Sequence, residues 1–359
     1  MPPPYRTATD RPVFVVGANR SGTTLMRLML NAHPDAAIPE ELNYFKHTAY
    51  DRPWYRPGWT RERYESYVEE TLARCMPLLP GVEVDAVRNV LLEVNDPTYR
   101  TPYAHMLRAW AQSEDAARWG EKTPGNLFYV DLLIEMFPQA QFVYMARDPR
   151  AGVASMQRVD FFPDDVIFNA LNRRKSWNVG YRLLSERVPA SQWCTVRYED
   201  LVTAPEHVAQ RLCSFLNLPY DPEMLRFHQD AEQYMKPEAA ASFNEIATRP
   251  ISTAPLERWQ TDLTDTEVAW VEAICADEMH AFDYASTHAR CGLSARVLQW
   301  IKQAYWHYDV WRHRAYRPYI VRHAFLGSLR KRLHKRLRGW QSESSHAPKA
   351  TRASTESHT

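Results

Sequence analysis

Apolar residues along this chain fall into short runs, separated by polar turns and by stretches with helical spacing. The runs typical of strands are Val13–Gly17, Arg118–Glu121, Gln141–Arg147 and Trp193–Tyr198. Helical patterns lie between and after them, at Thr24–Ala32, Asn126–Phe137, Ala151–Met156 and Pro205–Leu216. Short apolar strands that alternate with helices predict an α/β fold, with a mostly parallel central sheet flanked by helices on both faces.

The same pattern divides the 359 residues into regions. Residues 1–10 predict a flexible leader, and residues 11–290 carry the strand and helix pattern of one α/β domain. Within that domain, residues 47–80 predict an irregular aromatic insertion. Residues 291–340 predict a basic, aromatic helical extension, and residues 341–359 predict a disordered tail because they are polar and lack a periodic apolar face.

Charge is unevenly distributed, although the net charge is only +1. Residues 297–340 hold eleven Lys or Arg and one acidic residue, a net +10, so the rest of the chain carries −9. Within this segment, LRKRLHKRLRGW places Leu329, Leu333 and Leu337 four residues apart, which predicts a short cationic amphipathic helix. Such a helix suits an anionic membrane face, a nucleic acid or an acidic polymer, or it covers the core with its basic side exposed. We expect residues 297–340 to bind an anionic membrane surface and no specific nucleic acid.

Cysteine usage and the N-terminal residues bear on the compartment. Five cysteines without close pairs argue against a disulfide framework and indicate a reducing compartment, and no Cys/His cluster indicates zinc. The first residues lack the apolar segment of a signal peptide, and no run of about 18 apolar residues predicts a membrane-spanning helix. The sequence therefore predicts a cytoplasmic protein that binds at most peripherally to a membrane.

The first predicted strand leads into a glycine-bounded turn and a helix, in the stretch VFVVGANRSGTTLMRLM. Its glycines and Thr24 have the spacing of the Walker loop G-x-x-x-x-G-K-[ST], but Thr23 occupies the place of the lysine. Amides at such a helix N-terminus converge on an anion. Without the lysine and a partner aspartate for magnesium, the loop fits a 5′-phosphate that bears one further group, with Arg20 supplying positive charge.

The run GANRSGTTLMRLMLNAHPDAAIPEELNYF resembles the 5′-phosphosulfate loop of sulfotransferases that use 3′-phosphoadenosine 5′-phosphosulfate (PAPS). It is similar to the protein-tyrosine and bacterial branches of that family, whose loops read R-S-G-T-T. A second run, YMARDPRAGVAS, resembles the segment in which an arginine and a serine eight residues apart bind the 3′-phosphate. The resemblance covers about residues 11–285 and implies a P-loop-containing fold with PAPS as donor. It implies donor binding by Arg20, Ser21, Gly22, Thr23, Thr24, Arg147 and Ser155.

The spacing of Arg147 and Ser155 also has a physical basis. Arg147 would end a strand, and Ser155 would lie about two turns into the following helix, so both side chains can approach one phosphate. The planar guanidinium can bind such a phosphate bidentately. The alternative is a surface salt bridge among Arg147, Asp148 and Arg150.

Three further residues are assigned by the resemblance. The segment GEKTP resembles the E-K-[ST]-P segment of heparan-type sulfotransferases, which implies that Lys122 contacts the leaving oxygen or the sulfuryl group. Tyr198 matches a tyrosine near the adenine, and Arg258 matches a late basic residue over the 3′-phosphate. The alternatives are a solvated lysine at a strand end and a half-buried packing tyrosine, and the serine that accompanies the late basic residue in the family is not found here.

Transfer to an alcohol needs a group that removes the hydroxyl proton, which a carboxylate or an imidazole can do. Glu41 is in register with the glutamate base of the tyrosine and heparan branches, and the following Leu-Asn-Tyr-Phe resembles the heparan-type pattern E-x-x-F-F. Glu40 and His33 are alternative bases. His33 lies at the end of the first helix, where a capping role is favoured.

The resemblance implies a PAPS-dependent sulfotransferase that acts on an acceptor hydroxyl, which we expect on a carbohydrate or glycolipid. A small metabolite, a lipid headgroup and a peptide tyrosine are the alternative acceptors. Glu41, Lys122 and Arg20 are the expected catalytic residues, the last two stabilising charge on the departing oxygen. We expect no metal requirement, because a sulfuryl group carries less charge than a γ-phosphoryl group. The alternatives are a P-loop small-molecule kinase and a non-catalytic nucleotide-binding surface adaptor.

Overall fold

Five parallel strands form the central sheet of the protein. The structure is a computed structural model, and it describes residues 11–48, 60–95, 98, 100–234 and 249–315. In sequence order they are β1 (Val13–Gly17), β2 (Ala36–Ala37), β3 (Arg118–Lys122), β4 (Gln141–Ala146) and β5 (Trp193–Arg197). Their order in the sheet is β2-β3-β1-β4-β5, and every pairing is parallel. The central strands β1 and β4 are buried along their whole length, as expected for strands covered on both faces.

Helices connect the strands and cover the sheet. In the described part of the chain the α-helices are α1 (Thr23–Asn31), α2 (Tyr44–Thr48), α3 (Arg61–Cys75), α4 (Val84–Leu92), α5 (Arg100–Ser113), α6 (Val130–Met136), α7 (Pro149–Gln157), α8 (Val166–Lys175), α9 (Arg182–Arg187), α10 (Tyr198–Thr203), α11 (Pro205–Leu216), α12 (Trp259–Asp262), α13 (Asp265–Ile274), α14 (Ala276–Ala281) and α15 (Leu293–Ala315). A π-helical segment, Ser176–Tyr181, joins α8 to α9. Short 3-10 segments lie at Met76–Leu78, Pro124–Tyr129, Ala190–Gln192, Pro222–Gln229 and Ala231–Tyr234.

Alternate side chains of β1 enter two different apolar cores. Phe14 and Val16 lie in one core with residues of α5 and α6, whereas Val13 and Val15 lie in another with residues of α1 and α11. This period of two places the strand between two apolar layers. A third core joins α7, α8 and α13. The apolar pattern of the sequence thus corresponds to a sheet with a helical layer on each face.

The strand register brings several carboxyl ends to the same edge of the sheet. Val15 pairs with Lys122, the last residue of β3, and β1 continues two residues further to Gly17. Ala146, the last residue of β4, pairs with Arg197, the last residue of β5. Ligands of parallel α/β sheets bind outside such carboxyl ends. The loops that follow these strands are therefore the place to look for a site.

The α/β fold with a mostly parallel sheet is confirmed, and the predicted elements differ in three places. The helix predicted at Asn126–Phe137 begins as a 3-10 segment before α6. The sequence does not indicate β2, since its two alanines lack the branched side chains typical of strands. The irregular insertion expected over residues 47–80 is wrong where α3 forms. That helix buries Tyr64, Tyr67, Val68 and Leu72, at the spacing of one helix face.

The chain divides into two units, residues 1–306 and 307–359, and the second is described only as far as residue 315. Helix α15 confirms the helical character of the predicted extension from Leu293 to Ala315. The predicted amphipathic helix around residues 329–337, the leader at residues 1–10 and the tail at residues 341–359 lie outside the described residues, and the region boundaries stay predictions. Among the helices that the structure describes, none is long and apolar enough to cross a membrane.

Candidate active site

The loop between β1 and α1 brings a tight turn to the N-terminus of a nine-residue helix. Arg20 and Gly22 adopt left-handed backbone conformations, with φ of 64° and 89°. At Gly22 a Cβ atom would lie 2.5 Å from Cδ2 of Tyr198, so glycine permits both the turn and the close approach of that ring. Thr23 and Thr24 begin the helix, and its first turn holds no acidic residue. The amides and hydroxyls of this turn form an anion-binding end.

Arg147 and Ser155 meet this loop from the end of β4 and from α7. Arg20 donates from Nε to Ser155 Oγ at 3.0 Å, and Arg147 donates from Nη1 to the Arg20 carbonyl at 3.0 Å. The Arg147 guanidinium lies over the Tyr198 ring, 4.2 Å from its centroid. Asp148 pairs with Arg150 instead, whose Nη2 lies 2.7 Å from Asp148 Oδ2. Arg147 and Ser155 therefore both contact Arg20, Arg147 at its carbonyl oxygen and Ser155 at its side chain.

Two positive charges are buried together here. Burial and then the charge of Arg147 lower the pKa of Arg20 to about 10, and the Glu41 carboxylate opposes the shift. Burial also lowers the pKa of Arg147. Among the described residues, Arg147 Nε has no hydrogen-bond partner. A bound anion would offset the repulsion and accept these donors, so the residues present fit a phosphate.

Lys122 and Glu41 form an ion pair beside the loop. Lys122 Nζ lies 2.5 Å from Glu41 Oε1 and donates to Thr24 Oγ1 at 3.4 Å. The Lys122 side chain is 5% exposed, and that of Glu41 is 40% exposed. Burial lowers the pKa of Lys122, and the Glu41 charge opposes this shift. The pair thus presents an accessible carboxylate next to a buried ammonium group that also contacts the loop.

The segment that carries Glu41 is attached to a fully buried carboxylate, Glu121 of β3. The Leu42 amide, next to Glu41, donates to Glu121 Oε1 at 3.1 Å. Burial raises the pKa of Glu121, and the surrounding donors oppose the shift. Besides the Leu42 amide, these donors are the side chains of Tyr103, Thr123 and Asn126. Glu121 and Lys122 are neighbours in β3, and their side chains point to opposite faces of the sheet. Glu121 accepts from the backbone amide next to Glu41, and Lys122 contacts the Glu41 carboxylate.

The histidine and the glutamates that the sequence offers as bases lie in different surroundings. His33 is 1% exposed and does not line the cavity described below. Its Nδ1 accepts from the Asp35 amide at 3.0 Å, and its Nε2 lies 2.8 Å from the Pro219 carbonyl oxygen. Both ring nitrogens are therefore engaged in holding the turn after α1. Glu40 and Glu41 both line the cavity.

One cavity of about 1140 Å³ collects these groups. Its basic side chains outnumber the acidic ones, eight Lys or Arg against Glu40, Glu41 and Asp262. Ser21 is an exception among the expected site residues, since its side chain is fully buried outside the lining and its hydroxyl accepts from Arg173 Nη1 at 3.3 Å. The expected residues that do line the cavity are Arg20, Gly22, Thr23, Thr24, Glu41, Lys122, Arg147, Ser155, Tyr198 and Arg258.

A family model supports what this geometry suggests. Residues 12–222, more than half of the chain, match the model described as the sulfotransferase family. The chain belongs to the sulfotransferase family. The family implies PAPS as the donor, and the kinase alternative loses its support.

Similar proteins agree with this membership. Protein-tyrosine sulfotransferase A of Caenorhabditis elegans is 24% identical over 271 residues, which are 73% of this chain and 64% of that protein. Protein-tyrosine sulfotransferase 1 of Danio rerio is 27% identical over 270 residues, 71% of this chain and 68% of that protein. The chain spans about two thirds of the length of these relatives.

Two solved structures share the fold of this sulfotransferase. The sulfotransferase domain of the Synechococcus PCC 7002 olefin synthase has a TM-score of 0.57 and 22% identity, covering 79% of this chain and 98% of that one. The sulfotransferase domain from the curacin biosynthetic pathway has a TM-score of 0.54 and 21% identity, covering 78% and 99%. At this level of identity they support the fold.

The sulfotransferase cavity is also lined by Arg27, for which the sequence predicts no role. Arg27 lies one helical turn after Thr24 in α1, is buried, and donates from Nη2 to the Tyr234 carbonyl at 2.8 Å. Its Nε lacks a hydrogen-bond partner within the described residues. Burial lowers its pKa to about 10, with Glu40 and Glu41 opposing. The available signal is one charged residue in the otherwise uncharged helix TTLMRLMLN.

In the part of the chain that the structure describes, no group of three or more His, Cys, Asp or Glu side chains could hold a metal ion. The expected absence of a metal requirement stays a prediction.

Proposed function

We propose that this sulfotransferase moves a sulfuryl group from PAPS to an acceptor hydroxyl, with Glu41 as the general base. The observation that carries the proposal is the Lys122–Glu41 pair, 2.5 Å apart, which faces the same cavity as the loop and the Arg147–Ser155 group. A proton acceptor, an anion-binding loop and a second anion site are the three parts that such a transfer needs.

We assign the donor to the basic part of this cavity. The amides of residues 21–24 and the hydroxyls of Thr23 and Thr24 would hold the 5′-phosphosulfate, and Ser21 would contribute through its backbone. Arg147, Ser155 and Arg258 would hold the 3′-phosphate, with the Tyr198 ring near the adenine. The excess of basic lining residues and the unpartnered Arg147 Nε support this assignment.

The reaction follows from the positions of the charged groups. Glu41 accepts the acceptor's hydroxyl proton while the new oxygen–sulfur bond forms. The bond between sulfur and the 5′-phosphate oxygen breaks with its electron pair, and 3′,5′-diphosphoadenosine leaves. Lys122 lies between Glu41 and Thr24, so its charge stabilises the oxygen that becomes negative, together with Arg20 and the loop amides. These cations take the role that magnesium has in phosphoryl transfer.

We propose a carbohydrate or a glycolipid as the acceptor. The cavity mixes polar and apolar walls, with Asn43 and Arg74 as well as Leu78 and Pro124, which suits a molecule that carries both hydroxyls and apolar parts. A tyrosine hydroxyl is the second candidate, because the similar proteins of C. elegans and D. rerio are named protein-tyrosine sulfotransferases.

A transfer assay with sulfur-35-labelled PAPS tests these proposals. The panel contains glycolipids, free glycans, small alcohols and a tyrosine peptide, and mass spectrometry locates the added sulfate. Labelling of a glycan or glycolipid supports the proposed acceptor, and labelling of the peptide alone favours tyrosine. If no acceptor is labelled although PAPS binds, the non-catalytic nucleotide-binding alternative gains support.

Glu41→Gln tests the base, and Glu40→Gln is the matched control in the neighbouring position. We expect Glu41→Gln to lower kcat by about 10²–10⁴-fold, the usual contribution of a general base, while 3′,5′-diphosphoadenosine binds as in wild type. Glu40→Gln should keep most of the rate. Full activity of Glu41→Gln, or the larger loss in Glu40→Gln, would show that Glu41 is not the base.

We also propose that α15 helps to hold the enzyme at an anionic membrane surface. One side of the helix packs on the domain, where Lys302 Nζ lies 2.6 Å from Asp165 Oδ2. The other side exposes large apolar residues at a spacing of four, three and one, which places them on one face. They are Leu293, Val297, Trp300 and Ile301, between 49% and 80% exposed.

Charge complementarity supports an anionic lipid as the partner of α15. Residues 297–340 carry a net +10, and exposed aromatic and apolar side chains next to basic residues are typical of interfacial helices. We expect the full-length protein to sediment with vesicles of phosphatidylcholine and phosphatidylglycerol, and less with phosphatidylcholine alone. The double variant Trp300→Ser and Ile301→Ser should reduce binding. Equal binding by variant and wild type would exclude this face of α15 as the membrane-binding surface. A change of oligomeric state would instead indicate contact between copies.

A cytoplasmic location stays a prediction of the sequence.

A further inference from the structure

A buried arginine of α8, Arg173, contacts both elements to which the proposed function assigns the two phosphates of the donor. Its Nη1 donates to Ser21 Oγ at 3.3 Å, in the loop after β1. Its Nη2 donates to the carbonyl oxygen of Arg147, at the end of β4. Arg173 does not line the cavity. It can therefore affect the donor only through the residues that it holds.

The charge of Arg173 is neutralised inside the protein. Its Nη2 and Nε lie 2.7 Å and 3.1 Å from the carboxylate oxygens of Glu278 on α14. Both side chains are fully buried. Burial opposes the positive charge, but Glu278 raises the pKa of Arg173 above its usual value. A buried charge pair with this geometry is costly to break, which fixes the guanidinium in one position.

Helix α7, which follows Arg147 and carries Ser155, leaves room for this guanidinium. Gly152 of α7 packs against it, and a Cβ atom at this position would lie 2.3 Å from Arg173 Nη1. Glycine is otherwise unfavourable inside a helix, because it loses more conformational freedom than alanine. The missing side chain of Gly152 and the position of Arg173 are thus parts of the same arrangement.

We propose that Arg173 is a positioning residue that fixes the separation of the 5′- and 3′-phosphate sites, an inference that rests on the proposed function. The two phosphates of the donor are joined through one ribose, so a protein that binds both must hold the two sites at one distance. A planar guanidinium, hydrogen-bonded to the loop on one side and to the strand end on the other, supplies such a rigid spacer. Preorganisation of this kind increases affinity for a ligand that occupies both sites.

Ligands that occupy one site or both sites test this role. The three ligands are 3′,5′-diphosphoadenosine, adenosine 5′-monophosphate and adenosine 3′-monophosphate, measured by titration calorimetry on the full-length protein. We expect Arg173→Lys to weaken binding of the diphosphate on the order of tenfold, because the spacer is lost. Each monophosphate should bind within about twofold of its wild-type affinity, because each local site is retained. An equal loss for all three ligands would show general structural damage and overturn the proposal.

Gly152→Ala provides a second variant that leaves every charge in place, and it covers the case in which Arg173→Lys does not fold. Alanine favours the helix more than glycine, so helix propensity alone predicts unchanged or improved stability. The proposal predicts the same selective loss of diphosphate binding, since the methyl group displaces Arg173. Gly292→Ala is the matched control, because nothing lies within 4 Å of a Cβ atom there. Selective loss in both variants supports the spacer, and wild-type diphosphate binding in Gly152→Ala overturns it. A wild-type protein that does not bind the diphosphate would overturn the proposed function itself.

Discussion

The variant Arg147→Ala measures how much the proposed 3′-phosphate site contributes to donor binding. In the free protein Arg147 lies over the Tyr198 ring and donates to the Arg20 carbonyl, and its Nε has no described partner. The ring contact exists with and without the donor, so it largely cancels in the binding equilibrium. What Arg147→Ala removes on binding is the hydrogen bonding of a charged donor to the phosphate, worth about 1.5–3 kcal/mol.

This free energy corresponds to about 10- to 150-fold weaker binding of 3′,5′-diphosphoadenosine. Burial and the charge of Arg147 lower the pKa of Arg20 only to about 10, so Arg20 stays protonated at neutral pH and still attracts the phosphate in Arg147→Ala. The lower half of this range is therefore expected. Arg147→Lys keeps the charge but loses the planar fork, and its affinity should fall between those of Arg147→Ala and wild type.

Titration calorimetry with 3′,5′-diphosphoadenosine and with adenosine 5′-monophosphate is the assay. The monophosphate lacks the group that Arg147 is assigned to bind, so its affinity should not change in Arg147→Ala. Thermal unfolding of each variant shows whether the fold is retained. The assignment would be refuted if the diphosphate kept its wild-type affinity, or if both ligands weakened by the same factor.

Three further predictions concern the other parts of the site. Lys122→Met should lower the single-turnover rate by about 10²–10³-fold with donor affinity little changed, because its charge acts on the leaving oxygen. Gly22→Ala should lower the free energy of unfolding in urea by about 1–3 kcal/mol, owing to the left-handed φ and the Tyr198 contact. Gly125→Ala is its control, with nothing within 4 Å of a Cβ atom. Burial raises the pKa of Glu121 above its unfolded value, so between these two values the folded state binds more protons. The wild type should therefore gain stability relative to Glu121→Gln as the pH is lowered from neutral to about pH 5, as measured by urea unfolding.

Much of the fold and of the site follows from local patterns in the sequence. Near-continuous apolar runs mark β1 and β4, because a strand between two helical layers must be apolar on both faces. The turn after β1 needs residues that tolerate a left-handed backbone, and glycine at position 22 shows this directly. The spacing of Arg147 and Ser155 is also local, since a strand end and a helix start follow each other in the chain.

Contacts between distant residues were decided by the tertiary structure. Lys122 and Glu41 are 81 residues apart, and their pairing depends on the register of β3 and on the attachment of the Glu41 segment to Glu121. Ser21 is adjacent to Arg20 in the sequence, yet its side chain turns to Arg173, 152 residues away, rather than to the cavity.

The physical reason is the same in each case. Residue type and spacing determine which secondary structure forms and which side chains can bind an anion. Burial and packing determine which of those side chains meet, because a buried donor or charge must find its partner wherever the fold brings one. The sequence by itself therefore indicated the family, the kind of donor that the family implies, and most of the residues proposed to bind it. The tertiary structure decided which carboxylate lies beside Lys122 and which buried arginine joins the two proposed phosphate sites.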